Sequence, residues 1–295
     1  MSVGTGPGVW CFTDSLPATA AAEFAGRVEE LGYAALWLPE TVGREPFTHI
    51  AYLLGATRSL TLATGIASIY HRHPGTTRQA AATLAEQSGG RFVLGLGVSH
   101  ARTVVGLRGL DHARPLERMR EYLAAMDASP YRGPVPSSPP PRLLAALGPR
   151  MLALAATAAD GAHPFSTTPE HTASAREILG RDKLLCVEQK VVLSHDPDAA
   201  REAARRALQV IHGLPSYRAC WMRLGFTENE IDTLADRFVD AVVAHGDEEQ
   251  IRSHVRAHYD AGADHVCIQP LDPAGSPGPD IRALELLNPL KGALS

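Results

Sequence analysis

The stretch "LTLATGIASIYHRHPG" (Leu60–Gly75) decides how the chain is read. Its first half has the apolar, β-branched character of a buried strand. Gly65 then interrupts the run, two histidines follow at His71 and His73, and Pro74 closes it. Glycine inside a strand marks a bulge or a close approach of backbone. Two readings follow: the mouth of a metal site, or a backbone bent to receive something flat.

Working outward, similar apolar runs recur: "GVWCFTD" (8–14), "AALWLPE" (34–40), "RFVLGLGVS" (91–99), "RLLAAL" (142–147), "GAHPF" (161–165), "LLCVEQKVVLS" (184–194) and "HVCIQPL" (265–271). Helical patterns lie between them. "ATAAAEFAGRVEELG" ends on Gly32, and "TRQAAATLAEQSGG" ends on Gly89 and Gly90, both C-cap signals. "DPDAAREAARRALQVI" opens with an acid and a proline, and "TENEIDTLADRFVDAVVAHG" (227–246) reads as one helix opened by a Thr227–Glu230 capping box. Eight strands alternating with helices predict a single α/β domain over residues 1–295, a (β/α)8 TIM barrel. The runner-up is an open doubly wound sheet, but no GxGxxG follows the first strand. Two connections are longer than a barrel unit needs: His100–Pro141 after strand 4, and about Leu208–Thr227 between strands 7 and 8.

The net charge of −4 gives no reason to expect nucleic acid or an anionic membrane as partner. Cys11, Cys186, Cys220 and Cys267 are scattered without CxxC spacing, which predicts free thiols in a reducing cytoplasm. The start "MSVGTGPG" has no basic or apolar region of a signal peptide, and no uncharged apolar run approaches ~18 residues.

Barrel chemistry lies at the C-terminal ends of the strands. Strand 2 ends with Glu40 and strand 4 with Gly97, Val98, Ser99 and His100. In "ALGPRMLALAATAAD" a strand runs into Gly148, Pro149, Arg150 and Met151. Proline suits a first helical turn, and free amides at a helix N-terminus bind anions. The plainer reading is a tight turn with a surface arginine. A metal site would draw on His71, His73, His100, His163 and Asp272. Metallohydrolase barrels carry their HxH on the first strand, whereas here it follows the third, so no metal is assigned.

Four stretches in order, "ELGYAALWLPE", "TGIASIYHRHP", "GRFVLGLGVSH" and "LGPRMLALAATAADGAHPF", resemble the bacterial luciferase-like monooxygenase superfamily, and within it the oxidoreductases that use the deazaflavin coenzyme F420. The resemblance spans about Val9 to Leu271. It implies a non-prolyl cis peptide at or beside Gly65-Ile66, with Gly65, Ile66 and Ala67 behind a flavin-like ring. It implies cofactor contacts from Glu40 and from Gly97, Val98, Ser99 and His100. It implies a phosphate site at Gly148, Pro149, Arg150 and Met151, and a homodimer. The sugar-phosphate dehydrogenases of the superfamily carry "DH" after strand 2 and a glutamate in the strand 4 loop. This chain has "PET" and "VSH" there, so neither that substrate nor that catalytic pair is carried over. Glu40 and His100 are the candidate catalytic residues. The expected activity is hydride transfer between F420 and a small organic substrate. The alternatives are an FMN-dependent monooxygenase using oxygen and a non-catalytic flavin-binding barrel.

Overall fold

The protein is seen in a computed structural model that describes residues 3–4, 6–276 and 278–290. Its strands are β1 (Gly8–Trp10), β2 (Ala35–Leu38), β3 (Thr61–Thr64), β4 (Ala67–Ser68), β5 (Phe92–Gly97), β6 (Arg142–Leu144), β7 (Gly161–Ala162), β8 (Leu184–Leu193), β9 (Val243–Gly246) and β10 (His265–Pro270). The helices are α1 (Ala18–Glu30), α2 (Pro46–Ala56), α3 (Pro74–Gln87), α4 (Pro115–Ala128), α5 (Pro149–Ala158), α6 (Pro169–Leu179), α7 (Pro197–Gln209), α8 (Pro215–Arg223), α9 (Glu228–Asp232), α10 (Asp236–Val242), α11 (Glu248–Asp260) and α12 (Ile281–Leu286). Proline opens every helix from α2 to α8. Its fixed φ suits the first turn, and its missing N–H would be unpaired there anyway.

The strands pair in parallel in the order β10-β1-β2-β3-β5-β6-β7-β8, and β8 pairs with β10 to close the ring. With β3 and β4 as two parts of one strand, this is the expected (β/α)8 barrel. Side chains alternate across the wall. Leu36 and Leu38 face the helices, while Ala35 and Trp37 join Trp10, Ala63, Val93, Leu143, Cys186 and Cys267 inside the barrel. Trp37 is fully buried, and its ring stacks on His163 at 4.4 Å between centroids.

The structure departs from the sequence-based expectation in several places. Residues 227–246 do not form one helix. Leu234 takes a positive φ of 48° between α9 and α10, and the β-branched end becomes β9 along the C-terminal half of β8. Tertiary pairing overrides local helical propensity there. Helix α2 was not among the sequence candidates, although Glu45 caps it by accepting from Thr48 N. The connection from β8 to β10 contains five helices, α7 to α11, as well as β9. A second apolar cluster, with Tyr217, Trp221, Phe226 and Phe238, anchors this insertion.

Candidate functional site

The site starts where β3 fails to continue. Ala63 pairs with Val93, and the next pair along the strand is Ala67 with Leu96. That is a step of four residues (67 − 63) against three (96 − 93), so the strand carries one extra residue, a β-bulge. The Gly65-Ile66 peptide is cis, where the resemblance put it. Thr64 replaces the missing ladder: its Oγ1 donates to Gly95 O at 2.7 Å and accepts from Gly95 N at 2.8 Å. From inside the barrel, Trp10 Nε1 donates to Gly65 O at 2.9 Å. Gly95 and Gly97 leave room for the bulge, since a Cβ on Gly97 would lie 2.4 Å from Ile66 Cδ1.

Glu40 straps the bulge from the next strand. Its N–H donates to Ile66 O at 3.1 Å, and its Oε2 accepts from Ser68 N at 2.6 Å. Arg72 Nη1 donates to the same oxygen at 2.9 Å, and Arg72 Nη2 bonds Oε1. Burial pushes the Glu40 carboxyl up, but the hydrogen bonds and charge of Arg72, with the Ser68 amide, outweigh it and hold it below its ordinary value. His71 Nδ1 lies 3.2 Å from Glu40 Oε1 without the alignment of a hydrogen bond. His73 faces elsewhere: its Nδ1 caps α3, accepting from Gly75 N at 3.1 Å. Among the described residues no group of three or more His, Cys, Asp or Glu side chains is placed to hold a metal.

Along the rim, Val98 O contacts His112 Nε2 at 3.0 Å, and Ser99 has a φ of 52°. His100 packs against Tyr217 at 5.5 Å between ring centroids, and its Nδ1 lies 3.4 Å from Ser216 Oγ. Burial, with His112 nearby, lowers the His100 pKa and favours its neutral form. One strand further on, Gly148 is the N-cap of α5. Its φ of −112° is open to any residue, and a Cβ there would meet only Arg223 Nη2, at an ordinary contact distance of 3.6 Å. Pro149 and Met151 lie in the first turn. The Gly148 and Arg150 amides make no hydrogen bond among the described residues, whereas Met151 N bonds Gly148 O at 3.1 Å. Arg150 is exposed.

The structure also brings in residues that sequence reasoning missed. Arg72 is the middle of the HRH motif, but its charge pairing with a carboxylate 32 residues away leaves no local signal. Lys190 and Glu188 form a fully buried pair inside the barrel, with Lys190 Nζ 2.5 Å from Ser166 Oγ and 3.7 Å above the Phe165 ring. Arg223 and His171 both reach the Leu147 carbonyl beside Gly148.

These residues fit a flat ring with an anionic tail. The bulge offers a backed surface, and two unpaired amides with a nearby guanidinium offer an anion cradle on the same rim. Comparison with known proteins identifies the family. The model of the luciferase-like monooxygenase family matches residues 4–265. The chain belongs to this family. A provisionally named coenzyme F420-dependent oxidoreductase of Mycobacterium tuberculosis is 26% identical over an alignment of 331 residues, covering 91% of this chain and 94% of that protein. The 5,10-methylenetetrahydromethanopterin reductase of Methanolobus tindarius is 28% identical over 225 residues, 68% of each chain. The fold matches the F420-dependent tetrahydromethanopterin reductase of Methanopyrus kandleri with a TM-score of 0.73 at 20% identity, over 96% of this chain and 97% of that one. Among the described residues no helix is long and apolar enough to cross a membrane.

Proposed function

We propose that this protein is an oxidoreductase that moves a hydride between coenzyme F420 and a small organic substrate at the C-terminal mouth of its barrel. One observation carries the reading. A single rim holds a strapped bulge between β3 and β4 and, two strands along, the open N-terminus of α5. The F420-linked name of the mycobacterial relative supports it. When bound, the coenzyme supplies the two-electron carrier. The chain positions it, keeps water out and manages one proton. Glu40, ionised by Arg72, fixes the shape and charge of the bulge. His100, kept neutral, accepts or relays the proton at a ring nitrogen. Phe165, Tyr217 and Trp221 form an aromatic wall beside it. Gly65, Ile66, Ala67, Gly97, Val98 and Ser99 border the ring, and Gly148, Pro149, Arg150 and Met151 the phosphate.

The reading takes residues 1–295 as one catalytic domain acting in the cytoplasm as a homodimer. The four buried, unpaired thiols support a reducing compartment. A clean monomer by light scattering at micromolar concentration counts against the dimer. The second reading, an FMN-dependent monooxygenase, is favoured by the description of the family itself. Titration of the pure protein with F420 and with FMN, followed by absorbance and fluorescence, separates the two. Saturable F420 binding with weaker FMN binding is the expected result. FMN binding alone overturns the assignment, and binding of neither leaves a barrel without this cofactor chemistry.

A further inference from the structure

Helix α8 lies in the connection between β8 and β10 and has no place in the barrel wall. It is nevertheless pinned to the site. Trp221 is fully buried, and its indole N–H donates to Ser166 O at 2.9 Å. Tyr217, also buried, packs against both His100 and Phe165. These anchors fix where the last residue of the helix, Arg223, must lie. Its Nη2 donates to Leu147 O at 3.0 Å and stands 3.6 Å from where a Cβ on Gly148 would be. The residue as a whole is exposed, and although its guanidinium also reaches the Cys220 thiol, its five N–H donors leave some for a ligand.

Two positive features therefore meet at one point: the α5 N-terminus, whose Gly148 and Arg150 amides make no hydrogen bond among the described residues, and Arg223; Arg150 lies exposed in the first turn of the same helix. Neither arginine forms an ion pair with any described residue. The positive end of a helix dipole repels a neighbouring cation, and an anion between them turns repulsion into attraction. His171 shares the Leu147 carbonyl, with its Nε2 at 3.1 Å. Burial first, and the Arg223 charge after it, lower the His171 pKa and keep that ring neutral. Of the two groups on the Leu147 carbonyl, Arg223 thus carries the charge. It is also held in place, whereas Arg150 has no hydrogen-bonded anchor among the described residues.

We propose that Arg223, brought in by the inserted helix α8, is the charge-pairing residue for the phosphate of the bound cofactor, and that it selects ligands with an anionic tail over phosphate-free ones. This rests on the cofactor reading above. The test pairs a protein change with a ligand change. Wild type, Arg223→Gln and Arg150→Gln are titrated with F420 and with the same deazaflavin lacking its phosphate and everything beyond it. Arg223→Gln should weaken F420 binding about tenfold, the loss of one charge-assisted hydrogen bond. It should leave the phosphate-free ligand within about twofold, since no partner is lost there. Equal losses for both ligands would make Arg223 a purely structural residue and overturn the proposal. So would unchanged F420 binding, or a larger loss from Arg150→Gln. Thermal unfolding of each apo variant checks that it is folded. If wild type binds no F420, the cofactor reading fails by itself, and inorganic phosphate becomes the probe. A rise in wild-type Tm with millimolar phosphate that Arg223→Gln abolishes upholds the anion site; no rise overturns it.

Discussion

Gly95→Ala tests whether the bulge is held as described. An ideal Cβ at Gly95 would lie 2.0 Å from the Thr64 carbonyl oxygen and 3.2 Å from its carbon. The obstacle is backbone, so no side-chain rotation relieves it. Thr64 is also tied to Gly95 by two hydrogen bonds of 2.7 and 2.8 Å. The alanine must push β3 away and stretch both. Overpacking costs about 1–3 kcal/mol and each lost hydrogen bond about 1 kcal/mol, so the loss is about 3–5 kcal/mol. At roughly 2–4 °C per kcal/mol, thermal unfolding followed by circular dichroism should show a Tm lower by roughly 10 °C. Gly97→Ala is the control. Its Cβ would meet the flexible end of the Ile66 side chain, 2.4 Å from Cδ1. Rotation of Ile66 relieves that clash, so the stability loss stays near ~1 kcal/mol. Because Ile66 sits on the bulge, the same change should be felt more in F420 binding than in Tm. A Gly95→Ala protein with Tm within about 2 °C of wild type would refute the argument, because β3 and β5 would then be free to separate.

Two further outcomes follow from buried charge. Lys190→Met leaves Glu188 buried without its cation and should cost about 3 kcal/mol at neutral pH by urea denaturation; the deficit should shrink as pH falls, because burial already raises the Glu188 pKa and protonation removes the stranded charge. Burial lowers the pKa of His163 and His265 to about 4 and of His258 to about 3. Their unfolded forms take up protons near pH 6.5 while the folded forms do not, so stability is full above that pH and falls below it, by about 2 kcal/mol per histidine at pH 5. Tm measured from pH 7 to 5 should drop steeply, and a flat profile would mean that these rings titrate while folded.

The barrel strands were legible because each is a short apolar run ended by turn residues, and Gly65 signalled the bulge for the reason the structure shows. The N-terminus of α5 was legible from Gly148 and Pro149, which act within a few residues of each other. What escaped depends on distant pairing. "DAVVAHG" satisfies a helical pattern until β8 offers it an edge. Arg223 ends a short stretch with little amphipathic pattern, and only the burial of Trp221 against Ser166 carries it over Gly148. The resemblance placed the phosphate at Gly148–Met151, but no local feature points to a cation arriving from a helix more than seventy residues later.

The opening motif has a physical answer in the same terms. Two histidines flanking one arginine invite a metal reading because histidine spacing is visible and charge pairing is not. In the folded chain the pair separates: His73 spends its Nδ1 on the first turn of α3, and His71 lies beside Glu40. Arg72 between them makes two hydrogen bonds to the Glu40 carboxylate, and a further one to Glu45 at 2.9 Å. A carboxylate so neutralised is a poor metal ligand, because the guanidinium already occupies both its oxygens and repels a second cation. It is a good strap, because a charged, hydrogen-bonded acceptor holds the Ser68 amide more firmly than a neutral one would. The HRH segment therefore serves the bent backbone just before it: the arginine fixes the carboxylate, the carboxylate fixes the bulge, and the bulge shapes the surface a flat ligand would meet.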